Sequence, residues 1–303
     1  MAQTKHQIES LLAEAGSNGP RHRFGQNFMI DQNLVRLVAE AGRVGRGDLV
    51  VEVGPGTGTL TEELLERCDD VVVVEIDRDL AALARKRLAH RPNFRLIEGD
   101  ALAGKHGLNP DLGAVLQSAA ERRQVVKLVA NLPYNIASPL VIGLLAERVE
   151  LLAFTVQKEV ADRLRAGAGT DDYGPLTVMV QLLARVEVLR NLPPQAFWPA
   201  PKIDSSLVRL TRDDRLGALA RSFGRFVHAV FSFRRKTLRR ALSHAGYDAD
   251  ALLAATGFDG QLRPEVFTPE LFLRMFEASG GVAGRPGDDA GEQQPGGQEQ
   301  DGL

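Results

Sequence analysis

The chain has 303 residues, 44% hydrophobic, 25% charged and 6% aromatic, with 37 basic against 39 acidic residues and a formal net charge of −2. This composition excludes a disordered chain, a collagen-like fibre and a disulfide-stapled miniprotein, and the length predicts roughly two domains with room for a sizeable core. The near-neutral total argues, taken alone, against a nucleic-acid partner, but residues 281–303 hold one arginine against five acids and leave the rest of the chain at +2.

From residue 33 to about 165, short β-rich runs alternate with helical patterns. Strands are expected at 48–53 (DLVVEV), 71–75 (VVVVE), 94–97, 125–130 (VVKLVA) and 154–157, with helices at 59–67 and 80–89. Continuous Val-rich runs mark strands buried on both faces, and strand–helix alternation implies a doubly wound parallel sheet. Two further strands, 186–189 and 206–210, have no long helix between them and predict an antiparallel hairpin at one edge. After residue 212 the strand signal stops, and Phe223, Phe226, Val227, Val230 and Phe231 fall at helical spacing. The expected organisation is an α/β domain over 1–211, a small all-α domain over 212–280 and a disordered Gly-rich acidic tail over 281–303. Cys68 is the only cysteine, so no intramolecular disulfide and no Cys-based zinc site is possible. The six histidines show no ligand spacing, and no metal is expected. The absence of a signal-like start or a membrane-length apolar run predicts a cytoplasmic protein.

Glu52, Gly54, Gly56 and Gly58 lie between the first strand and the first helix. Glycines let a ligand approach the backbone, and the helix N-terminus beyond offers free N–H groups. The phosphate-loop pattern requires Lys-Ser/Thr after the last glycine, where Thr59-Leu60 stands. The dinucleotide fingerprint requires glycine at 59 and fails too. What remains is GxGxG after an acid, which resembles the S-adenosylmethionine (SAM) site of class I methyltransferases. Glu75 ends the second strand, placed to accept from both ribose hydroxyls, and Asp100 ends the third, placed to accept from the cofactor's adenine amine.

Asn131-Leu132-Pro133-Tyr134 follows the fourth strand directly, at the same sheet edge as the glycine loop. An exocyclic adenine amine is a poor nucleophile because its lone pair is delocalised into the ring. The Asn131 amide oxygen and a backbone carbonyl, accepting from its N–H groups, favour a more pyramidal and reactive nitrogen. Pro133 stiffens the turn, and Tyr134 offers a ring on which a turned-out base can stack. Cytosine-C5 chemistry needs a cysteine nucleophile, and Cys68 lies far from any such loop.

These motifs together resemble the small-subunit ribosomal RNA adenine-N6,N6 dimethyltransferases, from about residue 24 to 276. The resemblance extends to 23–31 (RFGQNFMID), 173–178 (YGPLTV), 197–205 (FWPAPKIDS) and 231–238 (FSFRRKTL). It implies that Asn27 and the Met29 backbone touch the methionine end of the cofactor, that Gly54, Glu75, Asp100 and Asn131 supply further contacts, and that Phe197 stacks on the target adenine. Trp198 is expected to pack. Departures are Met29 where leucine is usual, Ile203 where valine is usual, Phe233 where a polar residue is usual, and a long connection over 103–124. The implied activity is transfer of methyl groups from SAM to N6 of two adjacent adenosines, two methyls each, in the 3′-terminal hairpin loop of small-subunit rRNA. The implied setting is the assembling subunit, with the enzyme as a monomer. The alternatives are a large-subunit rRNA adenine methyltransferase of the macrolide-resistance type and a non-catalytic assembly or transcription factor.

Residues 221–240 contain seven basic residues and no acid. Arg221, Arg225, Arg234, Arg235, Lys236, Arg239 and Arg240 are expected to neutralise RNA phosphates, the last five as a cluster on one helix. Arg21, His22 and Arg23 are expected to add a second basic edge near the pocket.

Overall fold

The computed structural model describes residues 3–104 and 107–281. The tail expected over 281–303 lies outside the described residues except for Gly281. The chain opens with α1 (Lys5–Glu14), β1 (Phe28–Met29) and α2 (Gln32–Ala41). It then alternates β2 (Leu49–Val53), α3 (Thr59–Leu65), β3 (Asp70–Glu75), α4 (Arg78–Leu88) and β4 (Phe94–Glu98). The long connection holds a small hairpin, β5 (Leu102–Ala103) and β6 (Gly107–Leu108), followed by α5 (Pro110–Glu121). Then come β7 (Val126–Asn131), α6 (Ala137–Ala146), β8 (Leu151–Gln157), α7 (Lys158–Arg165), α8 (Pro175–Leu183) and β9 (Ala184–Leu192). The sheet region closes with β10 (Phe197–Trp198) and β11 (Ser205–Arg212), and the chain continues through α9 (Ala220–Phe231), α10 (Leu238–His244), α11 (Ala249–Thr256) and α12 (Pro269–Ala278).

The main sheet has seven strands in the order β4-β3-β2-β7-β8-β11-β9. Strands β2, β3, β4, β7 and β8 pair in parallel, and β11 pairs antiparallel with both β8 and β9. The expected edge hairpin therefore exists, with β11 on its inner side. Val71–Val74 of β3 are at most 1% exposed, which is why the valine run shows no polar alternation. Strand order reverses between β2 and β7, so the loops after these two strands open onto one crevice at the carboxyl edge of the sheet.

Two apolar layers cover the sheet. One packs α2 and α3 beneath β2 and β3 through Leu34, Val38, Leu60 and Leu64. The other holds α5, α6, α7 and α8 and runs on without a break into Phe223, Phe226, Phe272 and Phe276 of the C-terminal helices. Those helices build on α8 and share the sheet's core. The Tyr173 hydroxyl donates to the Phe267 carbonyl at 2.7 Å, and Phe223 meets Phe276 edge-on with ring centroids 5.5 Å apart.

Helices α1 and α5 are among those the sequence reading did not name, although their caps are visible in it. Thr4 and Gln7 form a reciprocal capping box at the start of α1, and Asn109-Pro110 caps and begins α5. Helix α1 packs Ile8 and Leu12 against Leu80 and Leu83 of α4 and against Phe28. Among the described residues no helix is long and apolar enough to cross a membrane.

Candidate active site

The loop after β2 is built by three left-handed glycines: Gly54 (φ 72°), Gly56 (φ 59°) and Gly58 (φ 88°), the last serving as N-cap of α3. Gly56 needs its hydrogen for a second reason, since a Cβ there would stand 2.9 Å from the Phe28 ring. At Gly54 a Cβ would stand 3.3 Å from the ring of Pro133, so glycine lets the loop approach the turn 131–134 more closely than a larger residue would.

One cavity joins these segments. It is lined by residues 24–29, the glycine loop, Val74 to Ile76 at the end of β3, Gly99, Ala101 and the turn 131–134. The sequence-predicted Asn27, Met29, Gly54, Gly56, Glu75, Asn131, Leu132, Pro133 and Tyr134 are brought together here. The Met29 and Leu132 side chains are buried, 6% and 1% exposed, so each offers backbone atoms to a ligand. Asp100 is exposed and does not line the cavity, although Gly99 and Ala101 on either side of it do. Its carboxylate accepts from the Leu102 N–H at 3.0 Å and shapes the turn.

Glu75 is 5% exposed and accepts from the Asp77 N–H at 2.8 Å. Burial pushes its carboxyl up to about 7. Glu52 is 1% exposed, one of its oxygens has no hydrogen-bond partner, and burial raises it to about 8. A buried, unpartnered carboxylate oxygen on the cavity wall fits a cationic ligand group, and the glycine cradle fits a ligand's closely packed polar backbone. The residues present therefore fit SAM, which Glu52, Glu75, the glycine loop and the α3 N-terminus would hold.

The two raised carboxyls give the ligand-free protein a pH signature. Both bind protons more tightly when folded than when unfolded, where the ordinary value is 4.5. Their stabilising contribution is complete below that value and is lost as pH rises through about 7 and 8. The ligand-free protein is expected to melt at a lower temperature at pH 8.5 than at pH 6, a loss that Glu52→Gln reduces. Equal pH profiles for wild type and variant in calorimetry would refute this.

Asn131 ends β7, and its side-chain orientation is fixed from both sides. Nδ2 donates to the Asn27 carbonyl at 2.6 Å, and Oδ1 accepts from the hydroxyl of Thr155, a fully buried residue on β8. Thr155 was not singled out by sequence reasoning. The β7–β8 register, which pairs Asn131 with Thr155, is what brings it there. The Tyr134 hydroxyl shares a hydrogen bond with the Ser205 Oγ at 2.7 Å, and burial pushes this phenol above its usual range.

Two groups lie elsewhere than the sequence suggests. Phe197 is only 2% exposed. Its two-residue ladder with β1 pairs it with Met29 and turns the ring into a cluster with Leu34, Leu192 and Leu207. Trp198, the expected packing residue, is the more exposed of the two and stacks on Phe28 with centroids 6.2 Å apart. The second basic edge is reduced, with His22 and Arg23 exposed but Arg21 engaged. Arg21 is taken by Asp77 and Asp79, and the Arg23 guanidinium lies over the Phe24 ring, 4.5 Å from its centroid.

The basic cluster of the C-terminal helices is present, with a different scaffold. Arg234, Arg235 and Lys236 lie in the turn between α9 and α10, because the chain leaves α9 at Phe231 through bonds such as Lys236 N–H to the Phe233 carbonyl at 2.8 Å. Arg225, Arg234, Arg235, Lys236 and Arg240 are exposed. Arg221 pairs with Glu147 at 2.6 Å, and Arg239 pairs with Asp250. Cys68 is buried, with its Sγ donating to the Asp48 carbonyl at 2.8 Å.

A parallel sheet with an antiparallel edge hairpin and this cofactor cleft defines a class I SAM-dependent methyltransferase. The family described as ribosomal RNA adenine dimethylase matches residues 17–279, and the chain belongs to it. It is 40% identical over 264 residues to the ribosomal RNA small subunit methyltransferase A of Moorella thermoacetica, covering 84% of this chain and 91% of that one. To the protein of the same name from Magnetococcus marinus it is 42% identical over 272 residues, with coverage of 88% and 94%. Among solved structures, the 23S rRNA methyltransferase ErmE is 30% identical with a TM-score of 0.58, covering 84% of this chain and 100% of that one. A dimethyladenosine transferase from Plasmodium falciparum shares the fold at a TM-score of 0.64 and 24% identity, covering 83% and 98%.

Proposed function

We propose that this protein dimethylates N6 of two adjacent adenosines in the 3′-terminal hairpin of small-subunit rRNA, within the assembling subunit and in the cytoplasm, acting as a monomer. The observation that carries the reading is Asn131, clamped by Asn27 and Thr155 at the point where the glycine loop and the catalytic turn meet. Relatives named for the small subunit share 40–42% identity, against 30% for the large-subunit enzyme, which favours the former substrate.

When bound, SAM supplies an electrophilic methyl on its sulfonium. The chain's own work is positioning. A carbonyl oxygen has two lone pairs, so Asn131 Oδ1 can accept an N–H from the target amine while it keeps the Thr155 hydroxyl. The amine's own lone pair then stays free and aimed. Pro133 restrains the turn, and Tyr134, held by Ser205, presents a fixed ring for the base. Phe197 stays in the core and supports β1, whose backbone lines the cleft. No general base is needed, because the proton can leave after the methyl arrives. Alignment for in-line attack supplies most of the rate.

The test is direct. Purified protein, SAM and small subunits lacking the modification are expected to yield two adjacent dimethyladenosines in the 3′-terminal hairpin. Modification confined to large-subunit RNA, or none at all, overturns the reading. The basic turn makes its own prediction: changing Arg234, Arg235 and Lys236 together to glutamine should lower the salt slope of RNA binding by about 2–3. An unchanged slope would make this turn a solvated surface.

A further inference from the structure

Among the described residues three non-glycine residues have positive φ, and all three are arginines: Arg43 (46°), Arg123 (54°) and Arg148 (65°). Each stands just past the C-terminal cap of a helix, respectively α2, α5 and α6. Two of these ends close with a six-to-one bond, from the Gln124 N–H to the Ala119 carbonyl at 2.9 Å and from the Val149 N–H to the Leu144 carbonyl at 3.1 Å. Such a closure calls for a left-handed residue, which glycine supplies with least strain. The same chain uses left-handed glycine there after other helices, Gly16 after α1 and Gly246 after α10, and caps α11 itself with left-handed Gly257. A helix dipole favours a cation somewhere in the last turn, but it gives no reason to choose the strained position.

The three arginines share a location. Helices α2, α5 and α6 lead into β2, β7 and β8, which are neighbours in the sheet. All three residues therefore lie at the feet of the central strands, at the end opposite the glycine loop and Asn131. All are exposed. Nearby carboxylates are engaged elsewhere: Asp48 with Lys127 at 2.7 Å, Asp70 with Arg95 at 2.6 Å, Glu147 with Arg221 at 2.6 Å, and Glu187 in a two-bond grip by Arg209 at 2.8 and 2.9 Å. Arg123 also borders a concave cleft lined by Arg46, Arg95 and Arg122 and by Asp69 and Asp70, of which Arg46 pairs with Asp69 and Arg95 with Asp70.

We infer that Arg43, Arg123 and Arg148 form a second RNA-contact rim that binds backbone phosphates remote from the reacting adenosine. None of the three makes an ion pair within 4 Å among the described residues, although Arg43 acts on Glu187 from farther away, and exposed guanidinium forks of this kind suit phosphate. Strands of five to seven residues place the rim about 20 Å from the cleft, so only RNA that runs farther than this from the target adenosines reaches it. The inference rests on the rRNA reading above.

The test is the triple variant Arg43→Gly, Arg123→Gly, Arg148→Gly, which relieves the left-handed strain and should melt no lower than wild type. Binding to protein-free small-subunit rRNA should lose about 2–3 from its salt slope, while binding to a synthetic stem-loop of about four base pairs, too short to span the distance, stays as in wild type. The matching triple Arg→Gln variant, which keeps the strain and removes the charge, should show the same loss. An unchanged slope on the long RNA overturns the proposal, as does an equal loss on the short hairpin. Weaker binding to assembled particles with naked RNA unaffected overturns it in favour of a protein partner. Failure of the rRNA reading itself shows differently, as wild-type protein that neither binds nor methylates small-subunit RNA.

Discussion

Asn131→Ala is expected to lower turnover by roughly 10²-fold or more, the scale of losing one positioned polar group. Binding of S-adenosylhomocysteine should change less, because the glycine loop, Glu52 and Glu75 are untouched. The variant strips a partner from the buried Thr155 hydroxyl, a cost of about 1–3 kcal/mol. Melting must therefore be recorded beside turnover. Thr155→Val is the companion: it keeps the Asn131 amide and removes one clamp, and should give an intermediate loss in turnover. Near-normal turnover of a folded Asn131→Ala protein would remove Asn131 from the chemistry.

Gly56→Ala is expected to damage cofactor binding through two separate effects. The residue must hold φ at 59°, which costs an alanine about 1–2 kcal/mol. The new methyl also enters the Phe28 ring, whose atoms lie 2.9 Å from the Cβ position. Gly169→Ala separates the two effects, since Gly169 has φ 83° and nothing within 4 Å of its Cβ position. Gly169→Ala should lower stability while leaving cofactor affinity intact. Gly56→Ala should in addition weaken S-adenosylhomocysteine by tenfold or more in calorimetry. Equal affinities in the two variants would mean that Phe28 yields freely and does not shape the cleft.

The fold's central layer is legible because its signal is local. A run such as Val71–Val74 leaves little but a strand buried on both faces, and glycines directly after β2 mark the ligand edge. The cavity residues 131–134 were legible for the same reason, as a short segment tied to the end of one strand. What escaped depends on partners distant in sequence. Thr155 acquires its role only through the β7–β8 register. Phe197 turns inward because β10 pairs with β1, more than 160 residues earlier, and a two-residue ladder leaves no periodic trace. Arg21 looked free for RNA until Asp77 and Asp79 were placed beside it. The basic run 234–236 was read as helical because charge says nothing about where a helix ends.

The chain's single tryptophan is Trp198, stacked on Phe28, whose ring in turn presses on the glycine loop at Gly56. The protein thus carries a native optical probe with no background from other indoles, one aromatic layer away from the cofactor cleft. Its emission is therefore expected to change when ligand enters the cleft, which titration of unlabelled protein with S-adenosylhomocysteine checks.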